Sequence, residues 1–204
     1  SRISAWIAGR PTWLAASTHP AEDEELLQAH HALIRKSPDY LMILAPRHQH
    51  RIAGTVKTAR RIFGETAVSQ RSAEQEITPE TRVYLADTIG EMGLWYRLSP
   101  VSYIGQSLPN TKYAPGGKNP FEAAVLGSVI VHGPCTADFL SEYEALDSID
   151  ATVPVRGAED LPDILLRLSD ERERYSHIAA AKQYVSTQSE SLALALDVLN
   201  EWTG

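Results

Sequence analysis

The chain has 204 residues, 43% of them hydrophobic, which suits one large or two small globular domains, one being the simpler reading. A formal net charge of −7 disfavours a nucleic-acid surface, since the nearest basic run, Arg60-Arg61, is better placed at the end of a helix. The lone Cys135 excludes an intramolecular disulfide and fits a reducing compartment, and no segment approaches the roughly 18 apolar residues that span a bilayer.

Residues 1–11 read as an interdomain linker or remnant, without the basic and apolar order of a signal peptide, and residues 12–204 read as one domain. A strand at Thr12–Ala16 leads into a helix over Pro20–Arg35. There Leu26, Leu27, His30, Leu33 and Ile34 recur at helical spacing, while Glu22, Glu24 and Glu25 favour the positive end of the dipole. Pro20 fits the first turn, where no amide is missed. Next come a strand at Tyr40–Ala45, a helix at His50–Phe63, and strands at Ala67–Ser69 and Arg82–Ala86. A helix over Ile89–Tyr96 precedes a strand at Val101–Ile104; then follow a helix at Pro120–Leu126 and a strand at Val129–His132. A helix at Thr136–Leu146, a strand at Ala151–Val155 and helices at Ala158–Leu168, Glu171–Tyr184 and Glu190–Trp202 complete the chain. This alternation predicts an α/β fold with a doubly wound, mainly parallel sheet covered on both faces.

In such a sheet, ligands bind beyond the carboxyl ends of the strands. The polar clusters fall at that edge: Ser17-Thr18-His19, Pro46-Arg47-His48, Arg71-Ser72, Asp87-Thr88 with Gly90-Glu91, Gly105-Gln106-Ser107 and Gly133-Pro134. Six together suggest a shared crevice. The one long irregular stretch, Gln106 to Lys118, is the best candidate for a ligand loop.

From its end onward, Gly116-Gly117-Lys118-Asn119-Pro120-Phe121-Glu122 is the densest cluster. Paired glycines let backbone approach a ligand, free amides at a helix start attract phosphate, and a carboxylate at Glu122 can accept from two ribose hydroxyls. The same residues also read as a capping-box variant, with Asn119 as cap, Pro120 at the first helical position and Glu122 at the third. Thr88 and Glu91 stand in the same relation, and there the cap is favoured. Arg47, behind Pro46 at the end of a buried strand, is placed for bidentate contact with phosphate oxygens, although surface ion pairs are the commoner role for arginine. His48 and His50 lack a third ligand at metal-site spacing, so no metal is assigned. Ser17 has no nucleophile-elbow context and reads as a helix-start donor; Cys135 reads as buried and inert.

In chain order, A-A-S-T-H-P-A-E-D-E, L-A-P-R-H-Q-H-R, L-A-D-T-I-G-E-M, Y-I-G-Q-S-L, G-G-K-N-P-F-E-A-A and G-P-C-T-A-D-F resemble the carboxy-terminal half of the 3-deoxy-D-manno-octulosonic acid (Kdo) transferases, from about Thr12 onward. Departures are Gln106 where the family has a second glycine, Lys118 where it has histidine and Ala86 where glycine is usual. The resemblance implies the Rossmann-like carboxy-terminal half of a GT-B glycosyltransferase that binds CMP-Kdo and passes Kdo to a lipid A precursor in lipopolysaccharide biosynthesis. It implies inversion without a bound metal or other cofactor, and a catalytic acidic residue in an amino-terminal domain outside this chain, which alone would be inactive. It also implies peripheral membrane contact, at the cytoplasmic face of the bacterial inner membrane, for the full-length protein. Carried over by position, Arg47 contacts the phosphate, and Asn119 and Glu122 the ribose and phosphate region. Gly90, Gly105, Ser107 and Gly117 line the pocket, and Ser17, Thr18 and Glu91 complete the donor-binding set. A UDP- or GDP-sugar enzyme of the same fold and a non-catalytic nucleotide-binding module are the alternatives.

Overall fold

The computed structural model describes residues 2–203 apart from 8, 49, 51 and 110–112, with backbone alone for 2 and 189–203. Seven strands form one sheet in the order β3-β4-β2-β1-β5-β6-β7, and every pairing is parallel. They are β1 Thr12–Thr18, β2 Leu41–Pro46, β3 Val68–Gln70, β4 Val83–Leu85, β5 Val101–Ile104, β6 Val129–His132 and β7 Thr152–Pro154. Eight α-helices surround them among the described residues: α1 Arg2–Ile7, α2 Pro20–Lys36, α3 Ile52–Phe63, α4 Met92–Leu98, α5 Phe121–Leu126, α6 Leu140–Asp147, α7 Leu161–Arg167 and α8 Glu171–Thr203. The doubly wound Rossmann-like fold expected from the alternation is the one observed.

Strand side chains alternate between two faces, and each face builds its own core. On one face Trp13, Ala15, Met42, Leu44, Val83, Leu85 and Tyr103 meet Leu26, Leu27 and Leu33 of α2, Ala59 of α3 and Leu161 and Leu165 of α7. On the other, Leu14, Ala16, Ile43, Tyr84, Ile104 and Ile130 meet Ile3 and Ile7 of α1, Trp95 of α4, Ala123 of α5, Tyr143 of α6 and Ala181 of α8. Both faces are covered, which is why the strands read as unbroken apolar runs. His30 belongs to the first core with no exposed surface. Trp13 Nε1 donates to its Nδ1 at 3.2 Å, leaving the proton on Nε2, 2.9 Å from the Arg82 carbonyl. Burial drives this imidazole down to about 3, so it is a neutral core histidine.

Helix boundaries differ most from expectation in five places. Residues 2–7 within the expected linker form α1, whose Ile3 and Ile7 are buried in the second core. α4 starts at Met92 rather than Ile89, because Gly90 adopts φ 84° and Glu91 is non-helical. Three-residue 3₁₀ turns at Ala137–Phe139 and Ala158–Asp160 occupy the expected first turns of α6 and α7. One helix, Glu171–Thr203, replaces the two expected there; the polar stretch from Ser186 to Ser191 contains no glycine or proline to stop it.

Candidate nucleotide site at the switch point

From β1 the chain passes through α2 to β2 on one face, whereas β5 passes through α5 to β6 on the other. The connections therefore diverge between β1 and β5, the point at whose carboxyl ends a doubly wound sheet forms its ligand crevice. Its floor is a tightly registered backbone. Ser17 takes φ 55°, and a bulge lies between Ala16 and Thr18 where β1 leaves its register with β2. A Cβ on Gly105 would lie 2.7 Å from both the Ala16 carbonyl oxygen and Thr18 Cα, so only glycine fits this approach. Arg47 N donates to the Thr18 carbonyl at 2.9 Å, which fixes the start of the β2 loop on the same edge.

The segment after β5 is held from several sides. Gln106 is left-handed at φ 59°, its side-chain amide donates to the Ser17 carbonyl at 3.3 Å, and its own carbonyl accepts from Gly117 N at 2.8 Å. Tyr143 Oη of α6 donates to the Lys118 carbonyl at 2.7 Å, and Lys118 Nζ to the Gly117 carbonyl at 2.8 Å. Phe121 N then donates to Asn119 Oδ1 at 2.8 Å. A continuous run of contacts thus links Arg47, Thr18, Gly105, Gln106, Gly117 and Asn119 along one rim.

The expected site residues separate into two kinds. Arg47, Asn119 and Glu122 are exposed, and among the described residues the Arg47 guanidinium and the Glu122 carboxylate have no hydrogen-bond or ion-pair partner. Asn119 caps the turn, but Glu122 makes no return bond to it, so the capping-box reading holds only for its first half. Gly105, Ser107, Gly117 and Thr18 are buried, while Ser17 is half-buried. The Ser107 hydroxyl donates to the Ile104 carbonyl at 2.6 Å and accepts from Gly133 N at 2.9 Å, which ties the ends of β5 and β6 together. Glu91 is engaged elsewhere: Arg71 Nε and Nη2 donate to its two carboxylate oxygens at 3.0 and 2.8 Å, and the Thr88 hydroxyl also donates to it. That pairing, rather than a helix cap, holds the Gly90 turn in shape and draws the Glu91 carboxyl below its ordinary value. His48 and His50 lie with ring centroids 5.7 Å apart, and no group of three metal-ligating side chains is present among the described residues. Cys135 is partly exposed rather than buried, because it follows the Gly133-Pro134 corner at the rim.

Three participants escaped the sequence reading. Glu22 is fully buried, and its Oε1 accepts from His19 N at 2.9 Å and Gln106 N at 2.6 Å. Its Oε2 accepts from Tyr103 Oη at 3.2 Å and Tyr113 Oη at 3.3 Å. Burial pushes this carboxyl up to about 7 against the opposing pull of the two amides. The Tyr113 ring stacks on His19 with centroids 4.0 Å apart and an interplanar angle of 20°. The His19-Pro20-Ala21-Glu22 pattern signals a cap, but nothing local marks the donors that arrive from residues 103–113.

No protein-family model matches the chain. It is 31% identical to the 3-deoxy-D-manno-octulosonic acid transferase of Haemophilus influenzae over 204 residues, 97% of this chain and 45% of that protein. The Bordetella pertussis transferase of the same name is also 31% identical, over 98% of this chain and 47% of its own length. The chain thus spans about half the length of these curated relatives. Among solved structures, it is similar to the C-terminal CMP-Kdo binding domain of WaaA from Acinetobacter baumannii, at 30% identity and a TM-score of 0.81, covering 88% of this chain and 91% of that one. That match, at 30% identity over nearly the whole of a solved domain of this kind, places the chain in the 3-deoxy-D-manno-octulosonic acid transferase family, as a carboxy-terminal domain of GT-B type.

Proposed function

We propose that this chain is the donor half of a glycosyltransferase, gripping CMP-Kdo at the switch-point rim while Kdo passes to a lipid A precursor. The observation that carries the reading is that, among the described residues, Arg47 at one end of this run of contacts and Glu122, three positions past Asn119 at the other, are an exposed cation and an exposed carboxylate without partners. A nucleoside monophosphate needs both: a cation for the phosphate and an acceptor for ribose hydroxyls. Asn119, Gly117 and Gly105 shape the surface between them, Thr18 and Ser107 act through the backbone they hold, and Gly90 and Glu91 support the neighbouring turn.

In the transfer, the bond from the sugar carbon to the phosphate oxygen breaks and CMP leaves with the electron pair. The acceptor oxygen bonds to that carbon, and its proton passes to a base. Arg47 would stabilise the charge gathering on the departing phosphate, an interaction that grows toward the transition state. The base belongs, on this reading, to the remaining half of the full-length protein. That half also brings the acceptor to the cytoplasmic face of the bacterial inner membrane; no helix among the described residues is long and apolar enough to cross a membrane. Titration calorimetry with CMP, UDP and GDP tests the donor assignment. CMP should bind most tightly, and a preference for either diphosphate would reject it.

A further inference from the structure

We propose that Glu22 is a positioning residue of the donor site: from the first turn of α2 its carboxyl group fixes Gln106 and Tyr113, and through Gln106 the register of Gly117. This inference rests on the donor-site reading above. Its starting point is that Glu22 does more than a helix cap requires. A capping box needs one acceptor oxygen for the His19 amide, and Oε1 supplies it at 2.9 Å. The same oxygen also takes the Gln106 amide at 2.6 Å, and Oε2 receives two phenols. These three further donors come from residues more than 80 positions away in sequence. One carboxyl group therefore gathers the start of α2, the last turn of β5 and Tyr113.

The backbone explains why such a fastening is needed. Gln106 holds φ 59°, a left-handed conformation that disfavours any residue with a Cβ by about 1–2 kcal/mol. Its amide, past the end of β5, takes the Glu22 carboxyl as its acceptor. Once that amide is fixed, the Gln106 carbonyl is oriented to receive Gly117 N at 2.8 Å, two residues before Asn119. Tyr113 is held twice, by its phenol on Glu22 and by its ring on His19. The titratable groups around Glu22 are Asp23 and His19 on or next to α2, Tyr103 on β5, and Tyr113, itself influenced by Glu25 and Cys135. Burial raises the carboxyl to about 7. Protonation near neutral pH would add a hydrogen to a carboxyl group that accepts four hydrogen bonds, so one of those donors would have to give way.

The test compares wild type, Glu22→Ala, Glu22→Gln and Tyr113→Phe by CMP calorimetry between pH 6 and 8, with amide exchange measured alongside. We expect Glu22→Ala to weaken CMP binding about tenfold and Tyr113→Phe about two- to threefold. The ratio of wild-type to Glu22→Gln affinity should change across the region near pH 7, a comparison that cancels the nucleotide's own phosphate titration. Exchange at Gln106 and Gly117 should quicken in Glu22→Ala, while amides of β2 stay as in wild type. If Glu22→Ala does not fold, Glu22→Gln and Tyr113→Phe decide. Wild-type affinity in every variant that folds, or parallel pH curves, overturns the proposal. If wild type itself takes no CMP, the donor reading falls, and unchanged exchange at Gln106 and Gly117 would then overturn the role of Glu22 as well.

Discussion

Two helices leave the same rim from nearly the same sequence. α2 begins at His19-Pro20-Ala21-Glu22 and α5 within Asn119-Pro120-Phe121-Glu122, each a polar residue followed by a proline, with an acid three positions after the polar residue. Local chemistry predicts a reciprocal cap at both. At α2 the cap closes fully: Ala21 N donates to His19 Nδ1 at 3.1 Å and His19 N to Glu22 at 2.9 Å. At α5 only the Asn119 half forms, and Glu122 stays exposed with no partner among the described residues. The difference comes from the neighbours. Tyr103, Gln106 and Tyr113 converge on Glu22, whereas Glu122 looks across α4 toward Gly93, where a Cβ would lie 3.8 Å from its Oε1. One acid has been absorbed by the fold, and the other remains available for the proposed donor contact.

The contrast can be broken first by stability. Glu22→Ala leaves two amides and two phenols facing a hole, so unfolding free energy should fall by about 2–4 kcal/mol. Glu122→Ala should change it by less than about 0.5 kcal/mol. Urea titration of both variants measures the gap, and equal losses would erase the distinction.

Acid and base titration sharpen the same point. The folded state keeps Glu22 protonated up to about 7 against an ordinary 4.5, so this group removes stability as pH rises through that window. Asp23, also raised by burial, acts with the same sign. His30 does the opposite: the unfolded chain takes up its proton below 6.5 but the folded state resists until about 3, so stability is lost as pH falls between them. Urea unfolding across pH should therefore show Glu22→Gln gaining on wild type as pH rises from 4.5 to 7.

Ligand affinity supplies the next two outcomes. Arg47→Ala should weaken CMP binding about 10- to 100-fold, the worth of a charge-assisted contact, with little change in stability. Glu122→Ala should weaken it about tenfold, where a residue that only capped its helix would leave affinity intact. Smallest of all, Asn119→Ala should lower stability by about 0.5–1 kcal/mol through the lost turn at α5, read from the thermal midpoint.

Much of this was legible before any coordinates. The seven strands are short apolar runs bounded by turn residues, and their polar endings put Arg47 and Gly105 at one edge, while the paired glycines before α5 single out Gly117. The six-residue α1 was not, because Ile3, Trp6 and Ile7 make too short a pattern to separate from a linker. The continuity of α8 was missed because serines between 186 and 191 imitate a break that needs glycine or proline to be real. Glu91 reads as a pocket residue, but nothing in its local pattern marks Arg71, 20 positions earlier, which donates to both its oxygens. Glu22 was hidden for the converse reason: its local pattern was satisfied by a cap, and its other partners lie more than 80 residues along the chain. Periodicity reports which face is apolar, and it is silent on which distant donor meets a given acid.

The close approach of backbones at the crevice also bears on how this protein can be altered. A Cβ at Gly133 would lie 2.2 Å from the Ser107 carbonyl oxygen, and one at Gly105 would strike β1, so neither loop can be lengthened or swapped without displacing its neighbour. Attempts to retune such a domain toward another activated sugar should therefore leave these loops alone and vary the outward side chains at positions 47, 118 and 122. On the proposed donor reading, the scaffold is a fixed socket and those side chains are its interchangeable pins.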